Sequence, residues 1–359
     1  MDKDWRFYNE ECYSEPWRYH HTNAHVNMML DGMQEVLKRE EGKGIITADE
    51  HQAMWHILNG VIVFHDIVYD PLANDNEEKS VELWHEYVRE YCTSHYGGVD
   101  NCQYTDKEIE EVANLIMSTK HPENASTKME LILRDLDWNH MGSVHDITPE
   151  YATWLDTYEN NIFREFQKVP VEEYVKHRLV FIDNSVSKGL MTREVADYLR
   201  PLVQRKRMVG IYAGSFYPFH KGHLNIVRKA EKMFDKVIIA KGYNRAKKDL
   251  LGNQEFDNVK DIMRHHEVIE FPEQLVEFVN SKRSRYVEPV LVRGLRNGYD
   301  MDDEDNLVQF LDDMSERRDI PKLNIAYIHC DKKFEHIASH SIRVLDDKAD
   351  RAMYIPNPQ

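Results

Sequence analysis

Between residues 24 and 203, apolar side chains recur at three- and four-residue spacing, the period of an amphipathic helix. The pattern predicts helices over 24–40, 48–65, 77–92, 107–120, 149–166 and 193–203. Thr47 followed by Glu50 has the form of a capping box, and Thr105 and Thr148 stand where helices would begin. Gly42, Gly44, Gly97, Gly98 and Gly142 mark turns between these stretches. Strand-like runs are nearly absent, so this half is expected to be all-helical. At Met208 the pattern changes. Short β-branched runs at 209–214, 236–242, 289–294 and 324–330 alternate with helical stretches at 223–234, 273–282 and 306–314. Strands alternating with helices imply a parallel sheet with right-handed crossovers, a Rossmann-like α/β domain. The expected division is residues 1–205 and 206–359, with no Gly- or Ser-rich linker at the junction.

Length agrees with two domains, since 359 residues exceed what one core usually supports. Apolar residues at 42% and charged residues at 30% exclude a mainly disordered or collagen-like chain. Acidic side chains outnumber basic ones 63 to 46, and the resulting charge of −17 disfavours a protein that coats nucleic acid. Small anionic substrates remain open, because a few local Lys and Arg reverse the sign of a pocket. Cys12, Cys92, Cys102 and Cys330 form no C-x-x-C pair, which fits a reducing compartment better than a disulfide framework. The apolar runs are far shorter than a membrane span, and the first residues carry no apolar signal core. A cytoplasmic protein with no membrane and no nucleic-acid partner is expected.

Three positions in the helical half carry candidate chemistry. His25 opens one helix, His65-Asp66 ends an apolar one, and Asp135-Leu-Asp137 ends a third. Imidazole and carboxylate together suit Mn, Fe, Zn, Ni or Mg, and helical bundles assemble metal sites from facing helices. Alone, a His-Asp dipeptide reads more readily as a capping or hydrogen-bonded pair than as a metal site. In order along the chain, however, stand YSEPWRYHHTNAHVNMML, VFHDIVYDPLANDNEEKSVELW, IMSTKHP and LILRDLDW. Together they resemble the HD-superfamily metal-dependent phosphohydrolases. The resemblance covers most of residues 10–200 and implies an HD-domain bundle with His25, His65, Asp66 and Asp137 as ligands of a divalent metal. Asp135 competes with Asp137 for the last place. The resemblance also implies that Glu77 or Glu78 transfers a proton or orients water, and it places His21 in the Tyr-His-Thr element. His121 reads better as an exposed histidine before Pro122 than as an extra ligand.

The stronger signal is Gly210-Ile-Tyr-Ala-Gly-Ser-Phe-Tyr-Pro-Phe-His-Lys-Gly-His223. A strand runs into a Gly-Ser turn, and a His-x-Gly-His element opens a helix whose N-terminal N–H groups and dipole favour a phosphate. Gly222 allows close backbone approach, Ser215 can hydrogen-bond the attacking phosphate, and the two imidazoles can donate to phosphate oxygens. No covalent nucleophile is needed when the substrate's own phosphate attacks, and catalysis is then positioning and electrostatics. This element resembles the HxGH nucleotidyltransferase superfamily. The runs FDKVIIAKGYNRAKKDL, VLVRGLRNGYD and HIASHSIR narrow the likeness to bacterial-type phosphopantetheine adenylyltransferases.

That resemblance implies catalytic positions at His220, His223, Lys247 and Arg293. It implies nucleotide-binding positions at Gly214, Ser215, Phe216, Gly222, Arg296, Glu304 and Ser339. It further implies ATP with Mg²⁺, a small phosphorylated acceptor and a symmetric homo-oligomer. The sequence departs from that pattern in places. His220 stands where those enzymes usually carry Thr, as in nicotinamide mononucleotide adenylyltransferases and cytidylyltransferases. Tyr217 replaces an Asp, and Ala338 and His340 alter the serine motif. The combined expectation is a bifunctional enzyme, an adenylyltransferase fused to a metal-dependent phosphohydrolase. The alternative is a nicotinamide mononucleotide adenylyltransferase or cytidylyltransferase whose helical half only binds or senses a nucleotide.

Overall fold

A computed structural model describes residues 10–95, 104–242, 256–272, 274–296 and 300–358, the side chains of 91–95 and 300–303 excepted. Backbone contacts divide the chain into two compact units. The first comprises residues 1–165 and 177–203, and the second comprises 166–176 and 204–359.

The first unit is helical: α1 (Asn23–Gly42), α2 (Ala48–Phe64), α3 (Asn76–His95), α4 (Asp106–Ser118), α5 (Lys128–Asp137) and α6 (Pro149–Glu165). They are followed along the chain by α7 (Val171–Ser187), whose residues 171–176 belong to the second unit, and α8 (Arg193–Gln204), whose last residue does too. Thr47 and Thr105 form complete capping boxes with Glu50 and Glu108, satisfying N–H groups that have no intrahelical partner. Thr127 does the same with Glu130 at the start of α5, and Thr148 accepts from the Tyr151 N–H. The core gathers Met29, Met33 and Leu37 of α1 against Leu58, Ile62 and Leu136. At Gly32 a Cβ would stand 2.7 Å from Leu136 Cδ2. The missing methyl group therefore lets α1 and α5 approach closely one residue from Asp137.

The second unit is built on β1 (Arg207–Gly214), β2 (Lys236–Gly242), β3 (Val268–Phe271), β4 (Val287–Leu295) and β5 (Asn324–His329), in the order β3-β2-β1-β4-β5. Every neighbouring pair is parallel, with Ile211 opposite both Ile238 and Leu291. The interior strands β1 and β2 are buried almost continuously because both faces are covered. The fold is a Rossmann-like parallel sheet. The connecting elements include α9 (Lys221–Ala230), α10 (Val259–Ile262), α11 (Leu275–Ser281) and α12 (Asp300–Arg318), with α13 (Ser339–Arg343) and α14 (Lys348–Ala352) after β5. Segment 166–176 belongs to this unit because Gln167 brackets the start of β2. Its side chain accepts from the Val237 N–H and donates to Asp235 O, and its carbonyl accepts from the Glu267 N–H.

Strand β3 was not among the expected strands. Its four residues form the sheet edge, are only partly buried and follow the polar run Arg264-His-His-Glu267, so no apolar pattern announces them. Strand order reverses between β1 and β4. The crevice at the carboxyl ends of those two strands is where such sheets bind ligands. Among the described residues, no helix is long and apolar enough to cross a membrane.

Candidate functional site

In the second unit, β1 ends at Gly214 and the chain turns through Ser215–Phe219 into α9. Phe216 takes a positive φ of 47° and folds its ring back over Gly214, where a Cβ would lie 2.8 Å from the ring. Expected to touch nucleotide, Phe216 is instead 2% exposed and packs edge-on under His223, with ring centroids 5.1 Å apart. It buttresses the histidine. The turn is braced from outside by Asn258 and Arg343, which the sequence reading did not single out, and by Ser339, which it placed at the nucleotide. The Asn258 amide accepts from Phe219 N–H at 2.8 Å and donates to Phe219 O at 3.1 Å. Ser339 Oγ donates to Pro218 O at 3.1 Å, and Arg343 donates to Tyr217 O. Only knowledge of the tertiary fold brings these distant positions to one loop.

His220 is the N-cap of α9 and His223 its third residue. The His223 N–H donates to His220 Nδ1, and the His220 N–H donates to His223 Nδ1, at 3.4 and 3.3 Å. Two Nδ1 atoms occupied as acceptors leave the proton of each neutral ring on Nε2. Both rings are neutral. Burial and the Arg296 guanidinium hold His220 down to about 4, while burial, His220 and Arg296 hold His223 well below its ordinary value. The rings stack with centroids 3.6 Å apart. Gly222 makes this possible: a Cβ there would meet the His220 ring at 3.1 Å. The neighbour that needs the missing side chain is thus an imidazole of the same motif.

His220, Gly222 and His223 line a cavity of about 230 Å³ at the switch point, together with Ser215, Gly294, Arg296, Ser339, His340 and Arg343. Arg293, expected to be catalytic, and Glu304, expected at the nucleotide, are not in that lining. They close on one another as a bidentate pair at 2.6 and 2.7 Å, and Arg293 also donates to Ala213 O. A guanidinium fork matches a carboxylate, and the partly buried Glu304 needs that partner. Gly214 lies behind the lining, beneath Phe216. Lys247 lies outside the described residues.

In the first unit, three helix ends meet. His25 stands in the first turn of α1, His65-Asp66 follows the last turn of α2, and Asp137 closes α5. One donor atom from each of the four falls within 4.8 Å of the others. His25 Nε2 lies 3.2 Å from Asp137 Oδ1, and His65 Nε2 lies 3.0 Å from Asp66 Oδ2. His65 Nδ1 is 2.9 Å from Ile62 O, to which it donates, so the ring turns Nε2 toward the carboxylates. Nε2 of His65 is buried without a hydrogen bond, the condition of a nitrogen shaped to bind something other than a protein donor. Burial alone would depress His65, but Asp66 and Asp137 raise it well above its ordinary value. The histidines in turn hold both carboxyls below their usual range against the effect of burial.

Of the remaining expected positions, Asp135 faces away, taking the Arg134 guanidinium at 2.7 Å. Glu78 pairs with Lys120, which also lies 3.9 Å from Glu77, so both are engaged at the start of α3. His121 is exposed beside Glu123. The residue that sequence reasoning missed is Glu165, at the end of α6. Its carboxylate is buried, accepts from the backbone N–H groups of Tyr19, His20 and His21, and faces His21 Nδ1 at 2.7 Å. Burial would raise Glu165, but His21 and these donors hold it at about 2. Nothing in the sequence marks it apart from other acidic residues on amphipathic helices.

Comparison with known proteins bears on the second unit. Residues 211–344 match the family described as cytidylyltransferase-like. The chain is 31% identical over 137 residues to the phosphopantetheine adenylyltransferase of Clostridium botulinum strain Langeland, covering 37% of this chain and 78% of that relative. It is 28% identical over 150 residues to the enzymes of that name from Streptococcus sanguinis and Streptococcus gordonii, covering 41% of this chain and 88% of each. Through its second unit the chain belongs to the cytidylyltransferase-like nucleotidyltransferases. The matched stretch opens within β1 and closes just after α13, so it contains the His220–His223 pair and the whole cavity lining described above.

Proposed function

We propose that the second unit transfers the adenylyl group of ATP to a phosphomonoester of the phosphopantetheine type, releasing pyrophosphate. The observation that carries this reading is the pair of neutral imidazoles at the N-terminus of α9, each with its proton on Nε2, at the sheet's switch point. In the reaction an oxygen of the acceptor phosphate attacks the α-phosphorus of ATP. The bond from that phosphorus to the bridging oxygen breaks, and pyrophosphate leaves with the bond's electron pair. The transition state gathers negative charge on the non-bridging and leaving oxygens. Fixed N–H donors of His220 and His223, the α9 N-terminus and the Arg296 charge stabilise it without reorganisation. Mg²⁺ would enter on the triphosphate, as part of the substrate.

The family match and the relatives' names support the transfer, and the phosphopantetheine relatives support the acceptor class. The test is pyrophosphate release from ATP with 4′-phosphopantetheine, nicotinamide mononucleotide and phosphocholine as separate acceptors, the last with CTP as well. Turnover with phosphopantetheine is the expected result. Turnover with nicotinamide mononucleotide alone, or only with CTP, overturns the acceptor or the nucleotide respectively.

We propose further that the first unit is a metal-dependent phosphohydrolase acting on a nucleotide or phosphoester. The supporting observation is the convergence of His25, His65, Asp66 and Asp137, with the tautomer of His65 set by Ile62 O. These four fit a divalent ion by donor type and by the buried Nε2 of His65, which faces both carboxylates without a hydrogen bond. Such an ion, when bound, neutralises phosphate charge and activates water. The chain's own part is to hold two imidazoles and two carboxylates at fixed helix ends. Metal analysis of the purified protein, followed by a phosphate-release screen with wild type and His65→Ala, tests the reading. Absence of any divalent metal, or phosphatase activity unaffected by His65→Ala, sinks it.

A further inference from the structure

Glu165 gathers five donors on one carboxylate. Oε1 accepts three successive backbone N–H groups, from Tyr19, His20 and His21, at 2.7–2.9 Å. Oε2 accepts from His21 Nδ1 at 2.7 Å and from the Tyr69 hydroxyl at 2.8 Å. Consecutive N–H groups converging on one oxygen form an anion nest, and here the anion belongs to the chain itself. The same strap is tied from the other side by Arg18, which donates to the carbonyls of Asp66 and Ile67. Tyr69 stacks on the His21 ring with centroids 4.1 Å apart and planes 29° apart. The backbone N–H, Nδ1 and ring face of His21 are thereby each held by a separate contact, with Nδ1 carrying its proton toward Glu165.

What this leaves is Nε2 of His21, 4.0 Å from Asp66 Oδ2. The four ligand side chains are not equally covered. His25 and His65 are sealed at 1% exposure, whereas Asp66 and Asp137 keep 20% and 22%, and His21 keeps 20%. The way into the ligand set therefore runs past the carboxylates and past His21. We propose that His21, as the imidazolium, is a phosphate-contacting residue of this site, donating Nε2–H to a phosphoryl oxygen while Nδ1–H stays on Glu165, and that Glu165 is its positioning residue. The inference rests on the phosphohydrolase reading of the first unit and adds a residue outside the ligand set. A carboxylate behind the imidazole compensates the ring's positive charge once a phosphate engages its front, as the orienting carboxylate does in a catalytic triad.

The test uses the full chain loaded with Mn²⁺ and inorganic phosphate as the probe, with bound Mn²⁺ measured by atomic emission and phosphate affinity by calorimetry. His21→Asn keeps an amide N–H where Nδ1 lies, so the Glu165 bond survives while Nε2 is removed. The expected result is wild-type Mn²⁺ content with phosphate bound about tenfold more weakly, roughly 1.4 kcal/mol. Glu165→Gln should weaken phosphate to a similar degree, and the double variant should be no weaker than the singles. Should Glu165→Gln fail to fold, Tyr69→Phe removes one donor from the same carboxylate, keeps the stack, and should weaken phosphate a few-fold. Wild-type phosphate affinity in His21→Asn, with Mn²⁺ retained, overturns the inference and leaves Glu165 a structural staple. A wild-type chain that binds no Mn²⁺ overturns the phosphohydrolase reading itself, and the inference with it.

Discussion

His220 and His223 lie face to face, 3.6 Å between centroids, and each ring's Nδ1 accepts the other residue's backbone N–H. A capping box made of two histidines does two things with one set of bonds. It satisfies N–H groups at the start of α9, and it dictates that both rings present Nε2–H. Asparagine separates these roles, since its amide oxygen can replace Nδ1 as a cap but nothing replaces Nε2. His220→Asn and His223→Asn should each lower kcat for pyrophosphate release by about 10²–10³, as loss of one fixed donor does elsewhere. The KM for ATP should change far less. A variant whose kcat stays within threefold of wild type removes that ring from the transition state.

Burial of neutral His220 makes stability depend on pH in a definite direction. The group titrates near 6.5 when unfolded and near 4 when folded. Between these values the unfolded chain holds the extra proton, so stability is complete above pH 6.5 and falls as pH drops toward 4. The full effect is about 3 kcal/mol, and His223 acts in the same sense. Calorimetric melting of the nucleotide-free protein from pH 7.5 to 4.5 checks this. Wild type should lose more than His220→Asn across that window, because the variant lacks the titrating group. Parallel curves would show that His220 is solvated.

The two units were legible in the sequence to different depths. Periodicity announced most helices of the first unit, though not α7, and β-branched runs announced four strands, because burial on one face or two imposes a pattern on consecutive residues. Edge strand β3 escaped since its four residues, only half-buried, are too few to set a pattern. The motif histidines were legible because several functional groups fall within four residues of one helix N-terminus. Glu165, Asn258 and Arg343 were not, although each fixes a loop of a candidate site. Their partners lie 144, 39 and 126 positions away, and a single acidic, amide or basic residue carries no local mark of such a contact. The Arg293–Glu304 pair shows the converse: a motif position whose charge is taken up by another motif position.

Asp135 and Asp137 are two residues apart at the end of α5, and about 100° of rotation per residue turns them to opposite faces. Asp137 faces His25 and His65, while Asp135 holds Arg134 at the surface. Asp137→Asn should therefore abolish or sharply reduce bound divalent metal, and Asp135→Asn should leave the metal stoichiometry of wild type. Atomic emission on dialysed protein measures both. The reverse pattern would place the carboxylate ligand at 135 and reject the helix-end geometry described here.

Gly32 ties packing to chemistry in the first unit. A methyl group there would sit 2.7 Å from Leu136 Cδ2, on a residue that is 4% exposed and adjacent to Asp137. Tightly packed interiors yield only partly, so Gly32→Ala should push α1 and α5 apart and cost about 1–3 kcal/mol by overpacking. The helix-propensity gain of Ala over Gly, about 1 kcal/mol, offsets part of this without restoring the spacing. His25 on α1 and Asp137 on α5 would then part, and metal affinity should fall several-fold although no ligand has changed. Truncating the opposing side chain supplies the control. Leu136→Ala in the Gly32→Ala background removes the clash and should recover metal affinity, even though the double variant loses buried apolar surface. If Gly32→Ala binds metal as tightly as wild type, the approach of α1 to α5 does not set the His25–Asp137 distance.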